Sequence, residues 1–281
     1  MRLGSAEISI VSDGVFRVDG GTVFGVVPKT IWSELRQPDR KNRVELGLNC
    51  MLIRSGGKCV LADTGIGTKP DRNMRAIYGM RAGKLVENLA LQGVRPEDVD
   101  LVILTHLHFD HAGGCTRYGR GGSDATPVFP KATHLVQRAD WEEASATNER
   151  TRAAYNPHDF VPLEQSGQLE LLDGDTEVLP GLWARRTGGH TAGHQYTLLE
   201  SEGEGAACFG DVLPTRDHLP LNYLTSFDLY PQDSVAAKRH LLEEAEGKNW
   251  LLVFGHGVEH VAGRLTRNET GRLTLTPEEI G

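Results

Sequence analysis

Between Leu104 and Gly114 the chain reads LTHLHFDHAGG, which places His106, His108, Asp110 and His111 within six residues. Imidazole nitrogens and carboxylate oxygens packed this closely suit a divalent transition metal such as zinc, whereas a core histidine needs only a hydrogen-bond partner. More donors stand far along the chain: His190 in TGGHTAGHQ, Asp211 in CFGDV and His256 in VFGHG. Together these seven residues exceed what one tetrahedral ion can use, so they predict two divalent ions. Two ions within bridging distance can hold a hydroxide between them at neutral pH and polarise a substrate oxygen, which is the chemistry of hydrolysis. Asp110 is the candidate catalytic residue, since it, or a water, would pass a proton to the leaving group. Neither a G-x-S-x-G nucleophile turn nor a glycine-rich phosphate loop competes for the chemistry.

The backbone under such a cluster is constrained. Residues two apart on a helix face nearly opposite ways, so His106 and His108 could not converge there. An extended segment continuing from the apolar run 101–105 would project His106, His108 and Asp110 to one side, and a turn after Asp110 would swing His111 toward them. Gly113 and Gly114 then let the backbone leave the crowded turn. Each distant donor also follows an apolar run through a glycine: His190 after 182–186, Asp211 after 206–209 and His256 after 250–254. Open α/β architectures gather their functional loops at strand ends in this way.

Further strands are predicted over 7–11, 48–54, 58–62, 133–136 and 195–199, where Val, Ile and Leu are bounded by turn residues. Helical periodicity marks KLVENLALQG with a stop at Gly93, the shorter ADWEEASA, and PQDSVAAKRHLLEEAEG with Asp233 or Ser234 as N-cap and Gly247 as stop. There is no fixed-period repeat and no linker-like break, so residues 1–281 are expected to form one α/β domain. Residues 20–48 are expected to be a lid or covering loop, with Phe24 and Trp32 packing rather than touching substrate.

The HxHxDH run at 106–111, followed in order by His190, Asp211 and His256, resembles the signature of the metallo-β-lactamase superfamily. VLADTGIG at 60–67, containing Asp63, is similar to the family's early strand and turn, so the resemblance covers nearly the whole chain. It implies a four-layer αββα sandwich with the metals at one edge between its halves. It also implies that His106, His108 and His190 hold one ion, Asp110, His111 and His256 the other, and that Asp211 bridges them. Zinc is the expected metal, with iron, manganese or cobalt as alternatives. The oxygen-reducing branch resembles HxExDH, and His108 stands at that middle position here. GHTAGHQ is similar to N-acyl homoserine lactonases and to methyl parathion hydrolase-like enzymes, both dinuclear branches. The lactonase pattern usually has a tyrosine three residues after the bridging aspartate; Pro214 stands there, leaving Tyr223 to approach from another direction. A lactone or ester hydrolase is the first expectation and a phosphotriesterase the alternative. A metal-binding sensor without turnover is the reading from a different class.

Among the remaining histidines, His194 is expected to support a ligand or close its turn, and His218 either to face the pocket or to pack. The chain has 281 residues, 39% hydrophobic and 24% charged, with no tract that reads as disordered. Its net charge of −8 and lack of a concentrated basic surface argue against nucleic acid, leaving a small molecule as substrate. The opening MRLGSAEISIVSDG alternates like a first strand and not like a signal peptide, and no apolar run is long enough for a membrane. Cys50, Cys59, Cys115 and Cys208 lack CxxC spacing and read as reduced thiols of a cytoplasmic protein, for which a homodimer is compatible.

Overall fold

Period-two alternation of apolar side chains organises two β-sheets in the computed structural model, which describes residues 1–119, 121–122 and 124–280. The first sheet runs in the order Arg2–Leu3, Ala6–Asp19, Arg43–Ser55, Lys58–Ala62, Leu101–Ile103, Thr133–Gln137 and Leu169–Leu172, with Arg81–Ala82 paired to Ala6–Asp19. The second runs Thr176–Leu179, Leu182–Arg186, Gln195–Ser201, Glu204–Cys208, Leu251–Val253, Ala262–Arg267 and Leu273–Pro277.

Alternate residues of each strand enter different layers. Met51, Ile53, Val60, Ala62 and Ile103 of the first sheet meet Leu199, Ala206, Cys208, Leu251 and Val253 of the second in one buried cluster. Their neighbours Leu52, Leu61 and Val102 face outward onto Leu85 and Leu89 of helix Leu85–Leu91, Ala144 of helix Arg138–Ser145, and Phe160 and Leu163 of helix Pro157–Gln165. On the far side, Leu198, Ala207 and Leu252 pack against Leu241, Leu242 and Ala245 of helix Pro231–Gly247. The layers therefore stack helix, sheet, sheet, helix: the four-layer αββα sandwich expected. Among the described residues no helix is long and apolar enough to cross a membrane.

Three details depart from the sequence reading. The strands expected at 7–11 and 48–54 run on as Ala6–Asp19 and Arg43–Ser55, through a bulge between Ser12 and Gly14. The turn-like SDG survives inside a strand because Gly14 takes φ 130° and the buried Asp13 carboxylate accepts the backbone N–H groups of Ile66, Gly67, Gly83 and Leu85. The long C-terminal helix starts before Asp233 and Ser234, at Pro231, whose missing N–H costs nothing at a first helical position. Residues 20–48 are not an irregular loop: they fold into helices Gly20–Phe24 and Lys29–Leu35 before joining the strand at Arg43. Phe24 and Trp32 are buried there with stacked rings 5.5 Å apart, as packing residues.

Candidate metal centre

Parallel strands Lys58–Ala62 and Leu101–Ile103 end in register, Ala62 opposite Ile103, so the chain leaves both at the same point. Asp63 follows the first and Thr105 the second. The Asp63 carboxylate accepts Thr105 N at 2.7 Å, the Thr105 hydroxyl at 2.9 Å and His111 Nδ1 at 2.9 Å. Asp63 holds φ 60°, a left-handed conformation rare for a residue with a side chain, and these hydrogen bonds fix it.

Past Thr105 the backbone is extended only as far as His108. Phe109 N then donates to Ala154 O, and His111 N and Ala112 N donate to His108 O, closing a helical turn, Phe109–Ala112. Asp110 therefore does not lie beside His106 and His108 on extended backbone, as the spacing suggested. It turns with His111 toward His256, because a helical turn redirects side chains that a strand would have aligned.

Three overlapping groups of donors result, each with its ligand atoms within 4.8 Å of one another: His106, His108 and His190; His106, His111 and Asp211; Asp110, His111 and His256. His106 Nε2 and His190 Nε2 approach His108 Nδ1 at 2.9 and 3.2 Å. Tetrahedral zinc, with Zn–N near 2.0–2.1 Å, places neighbouring nitrogens about 3.3 Å apart, so these three rings are spaced for one ion. Asp211 touches both sides: Oδ2 lies 3.3 Å from His190 Nε2, while Oδ1 lies 3.3 Å from His111 Nε2 and 3.1 Å from His256 Nε2. The Asp110 carboxylate is 3.6 Å from His256 Nε2.

The outward nitrogen of four of these rings is already bonded. His106 Nδ1 donates to the Thr105 hydroxyl, His111 Nδ1 to Asp63, His190 Nδ1 to Asp228 at 2.6 Å and His256 Nδ1 to Gly47 O at 2.8 Å. A proton held on Nδ1 leaves the Nε2 lone pair facing inward, the tautomer a metal needs. His111 Nε2 and Asp211 Oδ1 are buried without a hydrogen-bond partner, an arrangement a protein seldom leaves unless a ligand completes it. The donor set fits divalent ions on these grounds.

Electrostatics divides the cluster. Burial, reinforced by neighbouring imidazoles, holds His106 and His108 well below the usual histidine range. Burial also opposes charge on His111 and His256, but Asp211 and Asp110 outweigh it and raise both; Asp211 with Asp228 does the same for His190.

His194 is a support and not a member of any donor group. Its Nδ1 donates to the Thr187 hydroxyl at 2.6 Å, and its Nε2 accepts Asp211 N at 3.1 Å. Gly210, just before Asp211, has φ 53°; a Cβ there would sit 2.7 Å from His194 Nε2 and 2.9 Å from Thr105 Cβ, so only glycine fits.

A cavity opens over Asp110, Asp211 and His256, walled by Phe16, Val18, Val23, Leu46, Tyr78, Phe109, Pro214 and Phe227. His218 lines it too, but both its nitrogens are engaged, with Thr215 Oγ1 and Val23 O, and its ring stacks on Phe24 at 5.2 Å. Tyr223 does not line this cavity: it packs against the cluster around Phe16 and Phe24, and Tyr78 is the tyrosine in the wall. Sequence reasoning missed Tyr78, Asp228 and Asp140. Asp228 and Asp140 stand in ordinary contexts, FDL and ADW, and no local pattern singles out a carboxylate whose partner is dozens of residues away.

The sequence profile of the metallo-beta-lactamase superfamily matches residues 44–256. An N-acyl homoserine lactonase of Bacillus cereus is 28% identical over 238 residues, covering 79% of this chain and 86% of its own. A probable metal-dependent hydrolase from Staphylococcus aureus superposes with a TM-score of 0.89 at 29% identity, both chains being fully covered. The dizinc quorum-quenching lactonase AidC, in complex with a product, shares the fold at a TM-score of 0.82 and 19% identity, over 100% of this chain and 97% of its own. The chain belongs to the metallo-beta-lactamase superfamily, among its metal-dependent hydrolases.

Proposed function

We propose that this protein hydrolyses a lactone or ester with two divalent ions, zinc in first place, held by His106, His108 and His190 on one side and by Asp110, His111 and His256 on the other. The observation that carries the reading is Asp211, whose two oxygens face the two sides separately, an arrangement that suits a bridging carboxylate. When bound, the ions would supply a bridging hydroxide as nucleophile at neutral pH and a Lewis acid for the carbonyl oxygen.

The chain's own residues do the rest. Thr105, Asp63, Asp228 and Gly47 orient the imidazoles through their outer nitrogens. Phe16, Val18, Val23, Leu46 and Phe227 exclude water and hold the apolar part of a small substrate against the acidic floor. Asp110, on that floor, takes up the proton released as the nucleophile adds and passes it to the leaving oxygen. Residues 20–48, expected as a covering segment, contribute Val23 and Leu46 to the wall, which supports a covering role within a single domain. The lactonase relatives favour a lactone, and one solved relative holds N-hexanoyl-L-homoserine at its catalytic metal centre. Four free cysteines suit the reducing cytoplasm.

Pro214 favours a second reading. It lines the cavity where the lactonase pattern has a tyrosine, and a wall without that phenol suits a phosphotriester. Metal content measured with turnover on γ- and δ-lactones, activated aryl esters and phosphotriesters tests both. The lactones and esters are expected to turn over faster; equal or reversed rates shift the assignment to phosphotriesters, and two bound ions with no turnover of any class favour a sensor.

A further inference from the structure

Helix Arg138–Ser145 lies outside the donor groups, yet its Asp140 side chain is fully buried beside them. One carboxylate oxygen accepts Leu107 N at 2.7 Å, the backbone amide between His106 and His108; the other accepts a short hydrogen bond from the Thr191 hydroxyl, next to His190. One turn on, Glu143 Oε2 accepts Ala192 N at 2.8 Å, so the same helix grips the same turn again. The contact is tight. A Cβ on Gly193 would come within 2.2 Å of Asp140 N. Among the described residues no lysine, arginine or histidine forms an ion pair with Asp140, and burial pushes its carboxyl up to about 7 despite its two donors. Burying a carboxyl without a cation is costly, and a neutral side chain would fill the space more cheaply.

We infer that Asp140 is a positioning residue for the three-histidine set, tying the segment that carries His106 and His108 to the turn that carries His190. The two segments lie far apart in sequence, and His108 Nδ1 and His190 Nε2 must nevertheless meet within 3.2 Å. Asp140 spans that gap through backbone and hydroxyl, and among the described residues it makes no hydrogen bond to a ligating ring. Asp63 does the corresponding work for His111, through Thr105 and the ring itself. Asp140 thus sets the affinity of one ion, and the other is independent of it.

This inference rests on the metal reading above, and the test separates the two. Asp140→Ala and the milder Thr191→Val are each placed in two backgrounds: His256→Ala, which leaves only the three-histidine set intact, and His190→Ala, which leaves only the acid-containing set. Zinc affinity of the metal-stripped proteins is measured by chelator competition, with thermal melting as the check on folding. The expected result is a loss of about 10- to 100-fold in the His256→Ala background and no change in the His190→Ala background. Equal losses in both backgrounds, or unchanged affinity in both, overturn the role of Asp140. If Asp140→Ala does not fold, Thr191→Val alone decides by the same criterion. Wild-type protein that takes up no zinc overturns the metal reading itself, whereas wild type holding two ions with unaffected variants overturns only this inference.

Discussion

His106 and His108 are held neutral by burial, and only His190 of their set is drawn toward its charged form, by Asp211 and Asp228, whereas His111 and His256 beside Asp110 are both drawn that way by carboxylates. The supports differ as well. The three-histidine set is assembled from two distant segments and is gripped through backbone and hydroxyl by Asp140, with Asp228 on His190. In the other set, Asp63 and Gly47 O bond the rings of His111 and His256 directly. Neutral lone pairs must be aimed, so the first set depends more on geometry; the Asp110 carboxylate adds a negative charge that attracts a cation from any direction, so the second depends more on electrostatics.

Asp211 belongs to both sides, and removing its charge should break the comparison altogether. Asp211→Asn keeps the shape but leaves two dications unshielded from one another, so one ion should be lost and neutral-pH turnover should fall by about 10³-fold or more. Zinc per chain, melting temperature and turnover on the same variant decide: a destabilised protein with normal zinc and normal rate would sink the bridging role.

Asp63→Ala and Asp228→Ala should separate the halves. Asp228→Ala removes the partner of one ring nitrogen and should weaken one ion by about 10- to 100-fold while sparing the other; Asp63→Ala should weaken the ion at His111 by a similar factor and, through the Thr105 hydroxyl bonded to His106 Nδ1, the other ion less. Asp63→Ala should also destabilise the fold by about 1–3 kcal/mol, because Thr105 N is left buried without an acceptor. Chelator titration with urea unfolding reads both effects; two variants that weaken the same ion more would remove the distinction.

His194→Ala should act more mildly. It takes the acceptor from Asp211 N, so stability should drop by about 1–3 kcal/mol while two ions still bind. A variant that loses an ion outright would make His194 a ligand.

The smallest effect concerns Lys238, which donates to the carbonyls of His218, Pro220 and Tyr223 and so pins the loop leading to Asp228. Burial pushes its ammonium from the ordinary 10.5 down to about 7. Between those values the unfolded chain binds the proton more fully than the folded chain, whose neutral amine keeps two of the three carbonyls, so this group makes stability rise with pH across that window. Urea midpoints at pH 7 and 9 should show that gain in the wild type and a smaller one in Lys238→Met; identical slopes would rule the lysine out.

The strand-end donors were legible because each depends on local signals: an apolar run, a glycine and a histidine or aspartate in that order. The HxHxDH run was legible as a cluster, and the family resemblance supplied its partition, but the path of the backbone through it was not legible. Nothing within 106–111 says that the chain turns helical at Phe109, since the hydrogen bond that helps start the turn is accepted by the distant Ala154 carbonyl. The bend at Asp13 was missed for the same reason, its four amide partners lying more than fifty residues away.

By itself, then, the amino-acid sequence determined an α/β chain, through short apolar runs and helical periodicity, and the seven candidate donors, through residue types that few other roles require, while the layer order came with the family resemblance. Tertiary structure alone decided that the chain turns helical at Phe109, which aims Asp110 and His111 together, and that Tyr78 rather than Tyr223 walls the cavity. It also supplied Asp140 and Asp228, whose meaning lies wholly in what they accept. A carboxylate's partners are set by distance in space, and sequence neighbours carry no record of that distance.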